Sequence, residues 1–168
     1  MSEVILDPPV LDLGCGDGMF GSILFDCKPD AIDCGIDLSP EDIQKARETR
    51  TYRSLQVADI QRLPFADNSI GSIFSNSVFE HLEDIDSALS EAVRVLKPGG
   101  KLVLTSPNNR LVDKFLSARI LHSVGLSGAA RAAGMLGNRV LGNQTCLSNE
   151  QWREKFALAG FSSVDCQY

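Results

Sequence analysis

A chain of 168 residues with a formal charge of −6, 43% hydrophobic and 23% charged, holds about one domain of sequence and enough apolar side chains to bury one core. These totals exclude a disordered chain, a general binder of nucleic-acid phosphates and a transmembrane protein, since no apolar run reaches bilayer length. Cys15, Cys27, Cys34, Cys146 and Cys166 lack C-x-x-C spacing, which argues against a disulfide framework or a zinc site; with no signal-like start, a cytoplasmic location is expected.

Val10 to Leu13 is a short apolar strand interrupted by Asp12, and Gly14, Gly16 and Gly18 alternate directly after it. A loop that turns sharply and brings its backbone against a ligand needs glycine dihedrals, and ligands of open α/β sheets sit at such strand ends. A first helix is predicted over Met19 to Cys27, and a second strand over Ala31 to Ile36, ending at Asp37. Ser39-Pro40-Glu41-Asp42 supplies a capping hydroxyl, a first-turn proline and two first-turn acids for a helix to Thr49. A third strand is expected over Ser54 to Ala58, ending at Asp59, and a fourth over Ile70 to Ser75, ending at Asn76.

From Asp84 to Lys97 the apolar residues Ile85, Ala88, Leu89, Ala92, Val93 and Leu96 keep helical spacing, and Pro98-Gly99-Gly100 stops the run. Lys101 to Thr105 is the predicted fifth strand. Ser148 and Gln151 then form a capping box, with Leu147 and Trp152 as its staple pair and Gly160 as the stop; Phe161 to Tyr168 is the expected final strand. Alternating strands and helices imply a doubly wound, mostly parallel α/β sheet in one domain over residues 1–168. Residues 108–147 are too long for an ordinary connection and are expected to form a helical lid insertion, its helix over Val112 to Leu121. That segment carries Arg110, Lys114, Arg119, Arg131 and Arg139 against the single acid Asp113, so its charge favours an anionic acceptor or carrier unless it is simply a solvated face.

Asp12, Asp37, Asp59 and Asn76 fall at the ends of four strands expected to be neighbours. A carboxylate after the second strand suits the two hydroxyls of a ribose, because its two oxygens accept two donors. An acid after the third strand suits the exocyclic amine of adenine. The duller alternative for both acids is a helix cap or a solvated loop residue.

The runs Leu-Asp-Leu-Gly-Cys-Gly-Asp-Gly, Gly-Ile-Asp-Leu-Ser, Ala-Asp-Ile-Gln-Arg-Leu-Pro-Phe-Ala-Asp-Asn-Ser, Glu-His-Leu and Leu-Lys-Pro-Gly-Gly-Lys-Leu-Val-Leu resemble the class I S-adenosylmethionine-dependent methyltransferases, closest to methyltransferase type 11. The resemblance covers Val10 to Pro107 and resumes at the last helix. It implies a Rossmann-like fold and S-adenosyl-L-methionine as cofactor. Gly14, Cys15 and Gly16 would wrap its methionine part with Asp12 near the ammonium group, Asp37 would take the ribose hydroxyls, and Leu38 would pack on adenine. Asp59 and the backbone of Ile60 would meet the adenine amine, and Asn76 would lie near the reacting methyl. His81 is a candidate base for a hydroxyl, amine or acidic carbon, or else a structural histidine; His122 is a lid or surface residue.

The resemblance implies methyl transfer to a small-molecule, lipid or sugar-conjugate acceptor. Neither a metal nor nucleic acid is expected to take part. Two departures stand out: Ile70 and Gly71 replace the phenylalanine and aspartate that often open the fourth strand, which puts local packing in question, and neither the helix that usually precedes the family's first strand nor its antiparallel seventh strand has a counterpart. The chain is therefore expected to be a fragment or to complete its sheet edge otherwise, for instance through a second copy. Two other functions compete. Gly16, Gly18 and Gly21 match the G-x-G-x-x-G of nicotinamide dehydrogenases with Asp37 downstream, although Gly14 already occupies the first place after the strand; a non-catalytic module on the same fold is the third reading.

Overall fold

The computed structural model describes residues 5–107 and 147–166. Its strands are β1 (Val10–Leu13), β2 (Ile32–Asp37), β3 (Tyr52–Val57), β4 (Ile70–Asn76) and β5 (Leu96–Thr105); its helices are α1 (Met19–Leu24), α2 (Pro40–Glu48), α3 (Ile85–Val95) and α4 (Asn149–Ala159). All pairings are parallel and the strand order is β3-β2-β1-β4-β5. The order reverses between β1 and β4, so the glycine loop after β1 stands at the switch point where open α/β sheets bind ligands.

Alternation along β1 divides the core. Leu11 and Leu13 join the larger cluster, under α3 and α4, with Ile36, Ile73, Phe79, Leu89 and Trp152. Val10 joins the smaller one, under α2, with Ile32, Ile43, Ala46, Tyr52 and Phe74. Period-two alternation on strands and 3.6-residue periodicity on helices place these side chains. Phe79 meets Trp152 edge-on at 6.2 Å, Trp152 stacks on Phe156 at 5.6 Å, and Phe156 meets Phe161 at 5.3 Å, anchoring α4 in the larger core.

The ends of elements differ from the sequence-based expectation where backbone geometry decides. The first helix stops at Leu24 instead of Cys27 because Asp26 and Cys27 take φ of 54° and 53°. The third strand begins at Tyr52, which pairs with Ile32. Leu96 pairs with Ile70, so the fifth strand begins before Pro98-Gly99-Gly100, and those residues bulge between the Ile70 and Ser72 pairings. The capping box of Ser148 and Gln151 forms as predicted, with Gly160 in the left-handed region closing α4. Residues 161–166 make no strand; Phe161 is held by aromatic packing instead of pairing. The expected lid over 108–147, including Val112 to Leu121 and His122, lies outside the described residues apart from Leu147.

The loop after β3 is fastened to α3. Arg94 Nη1 donates to the Phe65 carbonyl at 2.8 Å and to Asp67 Oδ1 at 2.7 Å, and Nη2 donates to the Leu63 carbonyl at 3.0 Å. Glu91 Oε2 accepts from the Leu63 N–H at 2.7 Å. A planar guanidinium with several donors can satisfy these loop carbonyls and a carboxylate together, which fixes the segment that begins at Asp59 and Ile60. No helix among the described residues is long and apolar enough to cross a membrane.

Candidate functional site

The glycine loop is tied to the end of β2. The N–H groups of Gly14 and Cys15 both donate to the Ile36 carbonyl, at 2.9 and 2.8 Å. The Gly16 N–H donates to Asp37 Oδ2 at 2.8 Å, while Asp37 Oδ1 accepts from the Ser39 N–H at 2.9 Å. Asp37 therefore clamps the loop and shapes the turn into α2 together. Each of its oxygens keeps another lone-pair direction for a ligand hydroxyl.

The three glycines meet different demands. At Gly14, φ is +80° and a Cβ would sit 2.9 Å from Val78 Cγ1, so only hydrogen fits between the loop and the chain leaving β4. At Gly16, φ is +53° and nothing lies within 4 Å of a Cβ. That open space beside Asp37 is where a ligand can reach the backbone. Gly18 packs on Ala46 of α2.

The remaining predicted residues take the following places. Asp59 is exposed, and its Oδ1 accepts from the Gln61 N–H at 2.8 Å. Ile60 is buried in the larger core, so it offers the site backbone atoms only. Leu38 is 71% exposed at the end of β2, and Val57, which the sequence did not single out, is 51% exposed at the end of β3. An exposed apolar pair beside two carboxylates suits an aromatic base that presents a flat face and polar edges. Asn76 ends β4 with its Oδ1 accepting from Thr105 Oγ1. His81 is exposed at the end of the one-turn helix Phe79–His81 that follows β4. Asp37, Asp59 and Asn76 thus share one rim with the glycine loop, as the order β3-β2-β1-β4 requires.

Two residues depart from the rim. Cys15 is buried in the smaller core, and burial, aided by the charges of Asp12 and Asp37, pushes its thiol far above the usual range. It contributes backbone to the loop and no thiolate. Asp12 is 3% exposed, beneath the loop, where its Oδ2 accepts from the Tyr52 hydroxyl at 2.7 Å. Burial pushes its carboxyl up to about 7; the Tyr52 hydrogen bond pulls the other way and Asp37 adds to the rise.

A carboxyl raised from an ordinary value of 3.8 to about 7 binds its proton more tightly in the folded state. Its contribution to stability is fully present below about pH 4 and lost as pH rises through about 7. Asp12→Asn keeps an acceptor for Tyr52 and removes the buried charge. At pH 8 it is expected to be more stable than the parent by up to about 4 kcal/mol, with little difference at pH 4, and to bind a cationic ligand more weakly. Urea unfolding at the two pH values checks this; an equal effect at both would contradict it.

A parallel, doubly wound sheet with an open glycine loop at its switch point and an acid on the neighbouring strand end defines an α/β protein built to hold a nucleoside cofactor. Residues 11–104 match the family model described as a methyltransferase domain, and the chain belongs to the class I S-adenosylmethionine-dependent methyltransferases. It is 30% identical to a malonyl-[acyl-carrier protein] O-methyltransferase of Paenibacillus sp. (strain JDR-2) over 96% of this chain and 58% of that protein. It is 31% identical to a ubiquinone/menaquinone biosynthesis C-methyltransferase of Desulfotalea psychrophila over 95% of this chain and 67% of that one. Among solved structures, a chain from the complex of the Haloferax volcanii Trm112 methyltransferase activator with a putative methyltransferase aligns with a TM-score of 0.68 at 27% identity, over 95% of this chain and 64% of that one. The chain thus spans little more than half the length of the Paenibacillus relative.

Proposed function

We propose that this protein transfers the methyl group of S-adenosylmethionine to a small-molecule acceptor, anionic or carrier-linked, by in-line displacement. The observation that carries the reading is the Asp37 clamp on Gly16 at the switch point, with open space over the glycine and Leu38 and Val57 exposed beside it. When bound, the cofactor supplies a carbon already activated by a sulfonium. The loop from Gly14 to Gly16 holds the methionine part, and Asp12 attracts its ammonium. Asp37 accepts from the ribose hydroxyls, Leu38 covers adenine, and Asp59 with the Ile60 backbone meets the adenine edge. Asn76 would lie on the methyl side of the bound cofactor, and His81 would be the residue to take the proton from the attacking group.

Alignment is the protein's main contribution, since orienting two reactants is worth about 7–11 kcal/mol of barrier. An anionic acceptor is favoured by the excess of arginine and lysine in residues 108–147 and by relatives named for malonyl-carrier and trans-aconitate methylation. Self-association through β5, an edge strand among the described residues, belongs to the same reading, as does a cytoplasmic location. Calorimetry with S-adenosylmethionine, S-adenosylhomocysteine and NADH tests the cofactor. Binding of both adenosyl compounds without NADH is expected; NADH binding alone would restore the dehydrogenase alternative, and no binding would leave a non-catalytic module. Methyl incorporation from labelled cofactor into small-molecule, lipid and sugar-conjugate pools then identifies the acceptor.

A further inference from the structure

Tyr52 opens β3, two strands away from β1, yet its hydroxyl reaches Asp12 under the glycine loop. Its path is lined by glycines. A Cβ on Gly35 of β2 would lie 2.8 Å from Tyr52 Cδ1 and 2.9 Å from Cε1, so the ring crosses the middle strand only because that strand has no side chain there. A Cβ on Gly18 would lie 3.1 Å from Tyr52 Cε2. One on Gly21 of α1 would collide with the Tyr52 hydroxyl and approach Asp12 Oδ2 to 3.0 Å. Two glycines that give the loop its dehydrogenase-like spacing, Gly18 and Gly21, thus make room for a tyrosine.

We propose that Tyr52 is a positioning residue of the cofactor site, holding the Asp12 carboxylate in place beneath the loop for the ammonium end of S-adenosylmethionine. The inference rests on the cofactor reading above. Tyr52 is 7% exposed and Asp12 is 3% exposed, so no solvent replaces the hydrogen bond if the hydroxyl is lost, and a charged acceptor makes that bond one of the stronger kind. The titratable groups around Asp12 are Tyr52 from β3, Asp37 from the end of β2 and Cys15 of the loop; Asp17 acts on the phenol. Tyr52 and Cys15 stay protonated near neutrality, because burial first and Asp12 second push both upward. The phenol therefore donates to Asp12 throughout, and Asp12 is a carboxyl whose charge appears near pH 7.

The test measures S-adenosylhomocysteine affinity from pH 6 to 9 for the parent, Tyr52→Phe, Asp12→Asn and the double variant. The parent is expected to bind more tightly as pH rises through about 7. In Tyr52→Phe the midpoint should move up by about one unit, weakening binding about fivefold at pH 7 and about tenfold at pH 6, with recovery toward pH 9. In the Asp12→Asn background the tyrosine change should have no further effect, as expected of a residue acting through its partner. A loss equal at every pH, or an unchanged midpoint, would overturn the proposal. If Tyr52→Phe does not fold, Asp12→Asn decides: a step retained near pH 7 overturns it. A parent that binds neither S-adenosylmethionine nor S-adenosylhomocysteine would instead defeat the cofactor reading and this inference with it.

Discussion

Replacing Asp37 with alanine is expected to weaken S-adenosylhomocysteine binding by at least about 100-fold, because the two charge-assisted hydrogen bonds to ribose that the proposed function assigns to it would be lost, at about 1.5–3 kcal/mol each. The effect is compounded within the protein. Without the carboxylate the Gly16 and Ser39 N–H groups lose their acceptors, and the loop loses a tie to β2. Asp37→Asn should fall between the two, since its amide oxygen can still take one of those donors. Calorimetry at fixed salt and pH measures the series, with unfolding curves to separate a lost ligand contact from a loosened loop. An Asp37→Ala variant with parental affinity would remove Asp37 from the site.

Gly71→Ala is expected to cost about 3 kcal/mol of stability and lower the unfolding temperature by roughly 10 °C, while leaving cofactor affinity of the folded protein unchanged. A Cβ there would collide with the Asp7 carbonyl and lie 2.6 Å from the Pro8 oxygen and 2.8 Å from the Pro8 carbonyl carbon. Those backbone atoms have little freedom to retreat. Gly71 and Ser72 N–H donate to the Pro9 carbonyl at 2.9 and 3.2 Å, Asp7 N–H donates to Ser72 Oγ at 2.7 Å, and Lys101 Nζ donates to Asp7 Oδ2 at 2.8 Å. Thermal unfolding checks the prediction; a loss below about 1 kcal/mol would mean that residues 7–9 yield. The same crossing explains the family departure at this position: an aspartate at 71 would occupy the space that the incoming chain fills.

The rim of the site was legible in the sequence because each of its members is marked locally. Gly14 and Gly16 follow an apolar strand, Asp37 precedes a capped helix, and Asp59 and Asn76 end their own strands. Once the strands lie parallel, chain direction alone brings these ends together. Val57 carried no such mark, since an exposed valine at a strand end reads as any other strand residue. The motif match at Gly16, Gly18 and Gly21 pointed to one purpose where the structure shows two arrangements, open space over Gly16 and room for Tyr52 at Gly18 and Gly21.

The order of elements, the parallel sheet, the capping of α2 and α4 and the rim of acids were determined by the sequence alone, through periodicity, caps and strand ends that act over a few residues. Tertiary structure alone decided that Asp12 is buried under the loop with Tyr52, 40 positions away, that residues 7–9 cross Gly71, and that Arg94 fastens the loop behind Asp59. Each depends on side chains meeting across strands or between layers. Such meetings follow from sheet order and packing, and they leave no periodic trace in the chain.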